Sequence, residues 1–289
     1  MKNITLKTIT RYTKKKYLIL STTSTIIGTI IILYTLLTKE LNLINGIPTN
    51  KWVYLTIGLG ILIMITPPSI INLLRQRRIH AIDREIPLIL SELAEGTKAG
   101  LTIIESIERS ATLSKTPLRD TLTFTLTKIK LGLNIDEALN ITTKKLESKY
   151  STHFTEIIKQ ALKSGGNITE TLNTAAKLYK ELLLFNEEKR TELRPYTFII
   201  YLSFIIYLFI AYITVNQFIL TLTKTPTTGF LALINPNFYY AIFFYTSLIQ
   251  AIFGGLVIGK ITEGTTKAGL IHTTIMTAIL LTTYPLITG

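Results

Sequence analysis

Gly100-Leu-Thr-Ile-Ile-Glu105-Ser-Ile is the stretch that decides the fold, because the chain repeats its pattern twice. The second copy reads Gly132-Leu-Asn-Ile-Asp-Glu137-Ala-Leu and the third Gly165-Gly-Asn-Ile-Thr-Glu170-Thr-Leu, at intervals of 32 and 33 residues. Each opens on a glycine that can end a helix in the left-handed conformation. Two residues later stands Thr102, Asn134 or Asn167, an N-cap type. Three residues after that comes Glu105, Glu137 or Glu170, the reciprocal half of a capping box. The phrase is a tight joint between consecutive helices, and three joints imply a helical bundle.

The apolar periodicity around the joints agrees. Residues 75–195 read as six helices, the first from about Ile79 to Ala99 with Ile82, Ile86, Ile89, Leu90 and Leu93 on one face and Pro87 as a bend. The second runs from Thr102 to about Leu113, and Pro117 opens the third, which carries Leu118, Leu122, Leu126 and Ile129. Ile135, Ala138, Leu139 and Leu146 stripe the fourth; Phe154, Ile157, Ile158, Ala161 and Leu162 the fifth. The sixth starts at Asn167, offers Ile168, Leu172, Ala175, Ala176, Tyr179, Leu182 and Leu183, and is expected to continue through Arg194-Pro195 into the third span. Each is apolar on one side only, so the six must share a core.

The bundle sits within a membrane protein. Of the 289 residues 47% are hydrophobic, and the mean hydropathy is +0.38. Five uncharged stretches, Tyr17–Leu37, Trp52–Leu74, Tyr196–Leu220, Phe238–Ile258 and Ala268–Ile287, each approach the ~20 residues that cross a bilayer as a helix. The organisation is therefore a basic tail 1–16, two spans in 17–74, the bundle 75–195, and three spans in 196–289. Charge fixes the expected orientation. The tail holds six Lys and Arg and no acid, and 75–195 holds 20 of the 31 basic residues. The positive-inside rule puts both in the cytoplasm, loops 38–51 and 221–237 outside, and the C-terminus outside. A cleaved signal peptide is disfavoured, because the first apolar run is too long and no small-x-small cleavage site follows. The net charge of +13 belongs to segments flanking spans and facing anionic lipid, and nothing suggests a nucleic-acid stripe.

The residues offer little chemistry. Without cysteine there is no disulfide, thiolate metal site or cysteine nucleophile. His80, His153 and His272 are far apart and lack the spacing of a helical metal site; His272, at the edge of a span, is expected to reach the interface. Gly254-Gly-Leu-Val-Ile-Gly259-Lys260 matches most of a phosphate-binding loop, but Ile261 replaces the required Ser or Thr and a span precedes it. Gly254, Gly255 and Gly259 suit close packing of span four on a neighbouring helix instead. Asn3, Asn140 and Asn167 open glycosylation patterns on the cytoplasmic side, and Asn167 already has a capping role. Acid pairs such as Glu105/Glu108 and Glu187/Glu188 lie among Lys and Arg as solvated faces. No nucleophile, base and orienter can be assembled, so no catalytic residue, cofactor or metal is expected. The lack of mid-membrane Asp, Glu, Lys or Arg argues against a small-solute transporter. The short outer loops argue against a membrane receptor or scaffold signalling through the bundle.

The run from Asp83-Arg-Glu-Ile-Pro87 through Gly100-Leu-Thr-Ile-Ile-Glu105, with the joints at Gly132 and Ser164-Gly-Gly-Asn167, resembles the cytoplasmic domain of the type II secretion system F family. Phe253-Gly-Gly through Lys260-Ile-Thr-Glu263-Gly264 to His272 resembles the end of its archaeal members, the archaellum and type IV pilus platform proteins. The resemblance implies an all-α integral membrane protein with an inserted cytoplasmic six-helix bundle and no catalysis of its own. Its implied partners are a cytoplasmic hexameric secretion ATPase and pilin-like subunits passing from the bilayer into a filament. The ATPase-facing candidates are Arg109, Arg119, Lys128, Lys130, Lys144 and Lys145, with Lys260 and Lys267 in the short inner loop. Many archaeal relatives carry two bundles where this chain has one, as in the short platform subunits of tight-adherence pili. A homodimer or a pairing with a sister platform subunit is therefore expected, with the glycine face of span four as its seam.

Overall fold

The joints and spans translate into nine α-helices among the residues that a computed structural model describes: 2–38, 41–115, 118–163, 167–221 and 235–288. They are α1 (Lys2–Thr38), α2 (Lys51–Lys98), α3 (Ile103–Leu113), α4 (Leu118–Lys130), α5 (Ile135–Leu146), α6 (Lys149–Lys163), α7 (Ile168–Ile213), α8 (Pro236–Glu263) and α9 (Thr266–Thr288). A π-helical turn, Thr214–Ile219, follows α7. Between α1 and α2 the strands β1 (Leu43–Ile44) and β2 (Ile47–Pro48) pair antiparallel around Asn45-Gly46, a dipeptide suited to tight hairpins. Five helices are long and apolar enough to cross a membrane: α1 from Ile19, α2, α7 with its π-turn, α8 and α9. The chain is an all-α, multi-pass membrane protein.

Contacts divide the chain into two compact units, residues 1–73 with 192–289, and residues 74–191. One element runs longer than the sequence pattern predicts. The span Trp52–Leu74 and the helix expected from Ile79 are one 48-residue helix, α2. Arg75-Gln-Arg-Arg78 between them contains no residue that resists helix. As expected, the last helix of the bundle continues through Pro195 into the third span as one helix, α7.

Unit 74–191 has one continuous core. Ile82, Ile86, Ile89, Leu90 and Leu93 of α2 meet Ile107 of α3, Leu118 and Leu122 of α4, Leu139 of α5, Phe154 and Ile158 of α6, and Leu172 of α7. Threonine pairs stitch the helices: Thr125 with Thr142, Thr143 with Thr155, and Thr97 with Thr169 at 3.0 Å. The α7 stripe ends earlier than its sequence suggests. Tyr179 is buried, but Leu182 is 38% exposed and Leu183 only half-buried. Tyr179 donates to the Tyr150 carbonyl in the first turn of α6 (3.1 Å), and beyond it the Tyr150 hydroxyl accepts from Asn186 (2.8 Å), a polar contact where the apolar stripe has ended.

In the other unit, Tyr54 of α2, Phe204 and Leu208 of α7, Phe244 and Leu248 of α8, and Met276, Leu280 and Tyr284 of α9 share a core. Tyr54, Phe244 and Tyr284 stack with centroids 4.9 to 5.7 Å apart. The glycines of α8 are consumed inside the chain. A Cβ at Gly255 would strike the backbone of Thr273, and one at Gly259 the backbone of Gly269. Gly254 is looser, facing Ile200 and Met276 at 3.3 Å. The small-residue face expected to serve as a seam between two copies is thus filled by α9, because α8 and α9 are joined by a turn short enough to press them together.

Candidate functional site

The first two joints share one backbone solution. At the end of α2, Gly100 N–H donates to the Thr97 carbonyl (3.1 Å) and Leu101 N–H to Gly96 (3.0 Å). At the end of α4, Gly132 N–H donates to Ile129 (2.9 Å) and Leu133 N–H to Lys128 (3.1 Å). Both are the paired reverse bonds that satisfy the last carbonyls of a helix. They demand φ of 84° at Gly100 and 90° at Gly132, values that glycine adopts without strain.

The caps then diverge. Thr102 and Glu105 form a full reciprocal box: Thr102 N–H reaches Glu105 Oε2 at 2.8 Å, and Glu105 N–H reaches Thr102 Oγ1 at 3.3 Å. The Thr102 amide and then its hydroxyl hold the Glu105 carboxyl below its ordinary pKa. At the second joint Asn134 Oδ1 takes the Asp136 amide (3.0 Å). An Asn side chain that caps one residue earlier leaves the box with Glu137 unclosed. Gly165 lies outside the described residues, as does Pro117. Glu170 is exposed in the first turn of α7, beside Thr97, Lys98, Asn173 and Lys177 in a shallow polar cleft.

All of this gathers at one end of the unit. Thr97–Thr169 joins the first joint to the start of α7. The opposite end is marked by Arg190 against His80 (2.9 Å), Glu147 against Arg75 (3.3 Å), and the Lys115 amide on Glu85 (3.1 Å). Since α4 leaves that opposite end and α5 returns to it, the Leu131–Asn134 turn lies at the joint end too. The helices alternate up and down, with every phrase far from where the chain enters and leaves the unit.

The expected basic residues fall into separate surroundings. Arg109 is exposed on α3, Arg119 donates to the Thr112 carbonyl (3.0 Å), and Lys130 pairs with Glu108 (2.6 Å). These last two line a shallow groove between α3 and α4. Lys128 and Lys145 flank the Phe124 ring, 5.7 and 4.2 Å from its centroid, with Lys144 exposed alongside. Lys260 and Lys267 are exposed on the other unit, around the Gly264 turn. The run Gly254–Lys260 lies within α8, so its amides are spent on helix bonds. His272 Nδ1 meets the Tyr201 hydroxyl at 3.0 Å, which gives it a partner between spans.

One buried acid escaped the sequence reading. Asp83, 6% exposed, accepts a hydrogen bond from Ser148 Oγ at the α5–α6 turn. Burial raises its pKa, while the Ser148 bond and nearby His80 oppose the rise. The Tyr179 phenol is pushed up to about 12 by burial, then by Asp83 and Tyr150. Its only sequence signal is position: Asp83 follows core Ile82 directly and lies one turn before core Ile86. Among the described residues no group of three His, Cys, Asp or Glu stands close enough to hold a metal.

This alternating helical unit overlaps a known domain. Residues 89–215 match the family model of type II secretion system protein F. The chain carries a type II secretion system F domain. Over 194 residues, 67% of its length, it is also 25% identical to an uncharacterized protein of Methanocaldococcus jannaschii, covering 32% of that protein. The chain thus spans about a third of the length of this curated relative. No solved structure matches it. The match begins in the last turns of α2, takes in α3 to α6, and continues through α7 into the π-helical turn. The F domain is a membrane-platform family rather than an enzyme family.

Proposed function

We propose that this protein is the platform of a type IV pilus, archaellum or type II secretion-like machine. It would couple a cytoplasmic hexameric secretion ATPase to assembly of pilin-like subunits drawn from the bilayer. The observation that carries the reading is the F-domain match laid over the alternating helical unit. In this reading the N-terminus and unit 74–191 face the cytoplasm and the C-terminus faces outside, supported by the excess of Lys and Arg in those segments.

In this reading the ATPase-facing residues are Arg109, Arg119, Lys128, Lys130, Lys144 and Lys145 of unit 74–191, with Lys260 and Lys267 at the α8–α9 turn as separate candidates. Their partial pairing does not prevent this, because exposed ion pairs are worth only about 0–1 kcal/mol and exchange easily. A homodimer or a sister subunit completes the platform through a surface other than the α8 glycines, which α9 occupies.

The test is co-purification of the full chain with the secretion ATPase of its own genome. Capture by the unaltered chain, lost when Arg109, Arg119 and Lys130 are changed to Glu together, is the expected result. ATP turnover by the chain alone, or capture indifferent to these changes, contradicts the assignment.

A further inference from the structure

The cations of unit 74–191 are not treated alike by their neighbours. Arg75, Arg84, Lys130 and Lys159 each have a carboxylate within 3.3 Å. Lys128 and Lys145 have none within 4.0 Å among the described residues. Both lie against the half-buried Phe124 ring, which fixes an ammonium without neutralising it. The surface around them is ordered. On α4 one row reads Asp120, Phe124, Lys128, and on α5 one row reads Glu137, Ile141, Lys145; no member of either row is buried. The four-residue spacing keeps each row on one side of its helix. The helices are antiparallel, and the Thr125–Thr142 and Lys145–Phe124 contacts set their register. The order acid, apolar group, cation therefore runs one way on α4 and the other way on α5. Each end of the face carries one acid and one cation, with Phe124 and Ile141 between them.

We propose that the α4–α5 face is the seam between two copies of this chain. Its charge pattern is complementary to itself. Turned about a two-fold axis parallel to the helices, α4 of one copy lies on α5 of the other. Asp120 then comes level with Lys145 of the second copy, and Lys128 with its Glu137. Two Phe124 and two Ile141 side chains fill the centre, an apolar middle with a charged rim. A continuous polyanion would meet Asp120 and Glu137 as well as the lysines, so the face suits spaced charges of both signs. An axis along the helices also keeps both copies pointing the same way. With 13 and 12 residues in the two helices, the seam is about 20 Å long at 1.5 Å per residue. The proposal rests on the dimer of the platform reading and gives it a surface; its test involves neither ATPase nor filament, so the two can fail separately. Lys128 and Lys145 are then used between copies, leaving Arg109, Arg119 and Lys130 for the ATPase.

The chain has no cysteine, so Ile141→Cys, 37% exposed at the native isoleucine, gives one thiol per copy at the centre of the seam. The full chain is treated with a short bis-maleimide in native membranes. The expected result is a dimeric adduct that Lys177→Cys, exposed on α7, does not give. Two charge-altered forms of the Ile141→Cys chain follow, one with Asp120→Lys and Glu137→Lys, the other with Lys128→Glu and Lys145→Glu. Each form alone should lose the adduct about tenfold, and the two produced together should recover it as the mixed pair. That recovery cannot arise within either chain, and an unfolded variant cannot give it. If either form fails to fold, Glu137→Gln, silent in melts, should still lower the adduct about fivefold. No adduct from Ile141→Cys, an equal one from Lys177→Cys, undiminished adduct in each altered form alone, or no recovery in the mixture overturns the proposal. So does an adduct that forms only with a sister protein, which would assign the face to that partner.

Discussion

Asp83 is a buried carboxylate in the apolar core of unit 74–191, held by the Ser148 hydroxyl. Its folded pKa is raised above the unfolded value chiefly by burial, so the folded state binds the proton more tightly. Its penalty is absent below the unfolded pKa and grows as pH rises through the folded one. Asp83→Asn keeps an oxygen to accept from Ser148 and removes the charge. We expect it to raise the melting temperature of the detergent-solubilised chain at neutral pH, with the gain vanishing on acidification below the ordinary Asp range. Ser148→Ala, by contrast, leaves the acid without its donor and should cost about 1–3 kcal/mol. The caps make the same distinction between residues that look alike in sequence. Thr102→Ala should cost about 1 kcal/mol, because Thr102 closes a reciprocal box. Glu137→Gln should be silent in the same melts, because Glu137 makes no return bond to Asn134.

At the scale of elements, the joint phrases were legible because glycine, cap and glutamate follow local rules that need no tertiary partner. Gly100, Gly132, Thr102 and Asn134 stand at helix ends through their own backbone preferences. The apolar stripes were legible for the same reason, up to Tyr179. What failed were features set by distant neighbours. Leu182 and Leu183 continue the α7 stripe in sequence, but the continuous core stops at Tyr179. The glycines of α8 read as a seam for a second copy because sequence cannot say that α9 returns onto them. Gly255→Leu should therefore disrupt the α8–α9 pair itself, lowering thermal stability by about 1–3 kcal/mol or more, and Gly259→Ala should do likewise. Gly254→Ala should be mild, since the Met276 methyl it meets can move. Melts of the three variants in detergent check this ordering. Equal stability for all three, with only an oligomer lost in the Gly255 variant, would restore the intermolecular reading.

For the molecule as a whole, the F-domain match and the five apolar helices agree with the expected multi-pass membrane protein carrying a helical bundle. Asp83 and the unequal pairing of the basic residues were not legible, since both depend on which helices the up-and-down path brings together. The identity of the machine lies in partners that recognise this surface rather than in any one side chain. That makes its central claim a matter of assembly, and a cell is the place to measure it. Deleting the gene in its own organism and counting surface filaments or secreted product by electron microscopy and secretome analysis is the direct test. The account predicts loss of one filament type or one secreted set, restored by the intact gene but not by a copy with Arg109, Arg119 and Lys130 changed to Glu. Undiminished filaments and secretion in the deletion strain would contradict it.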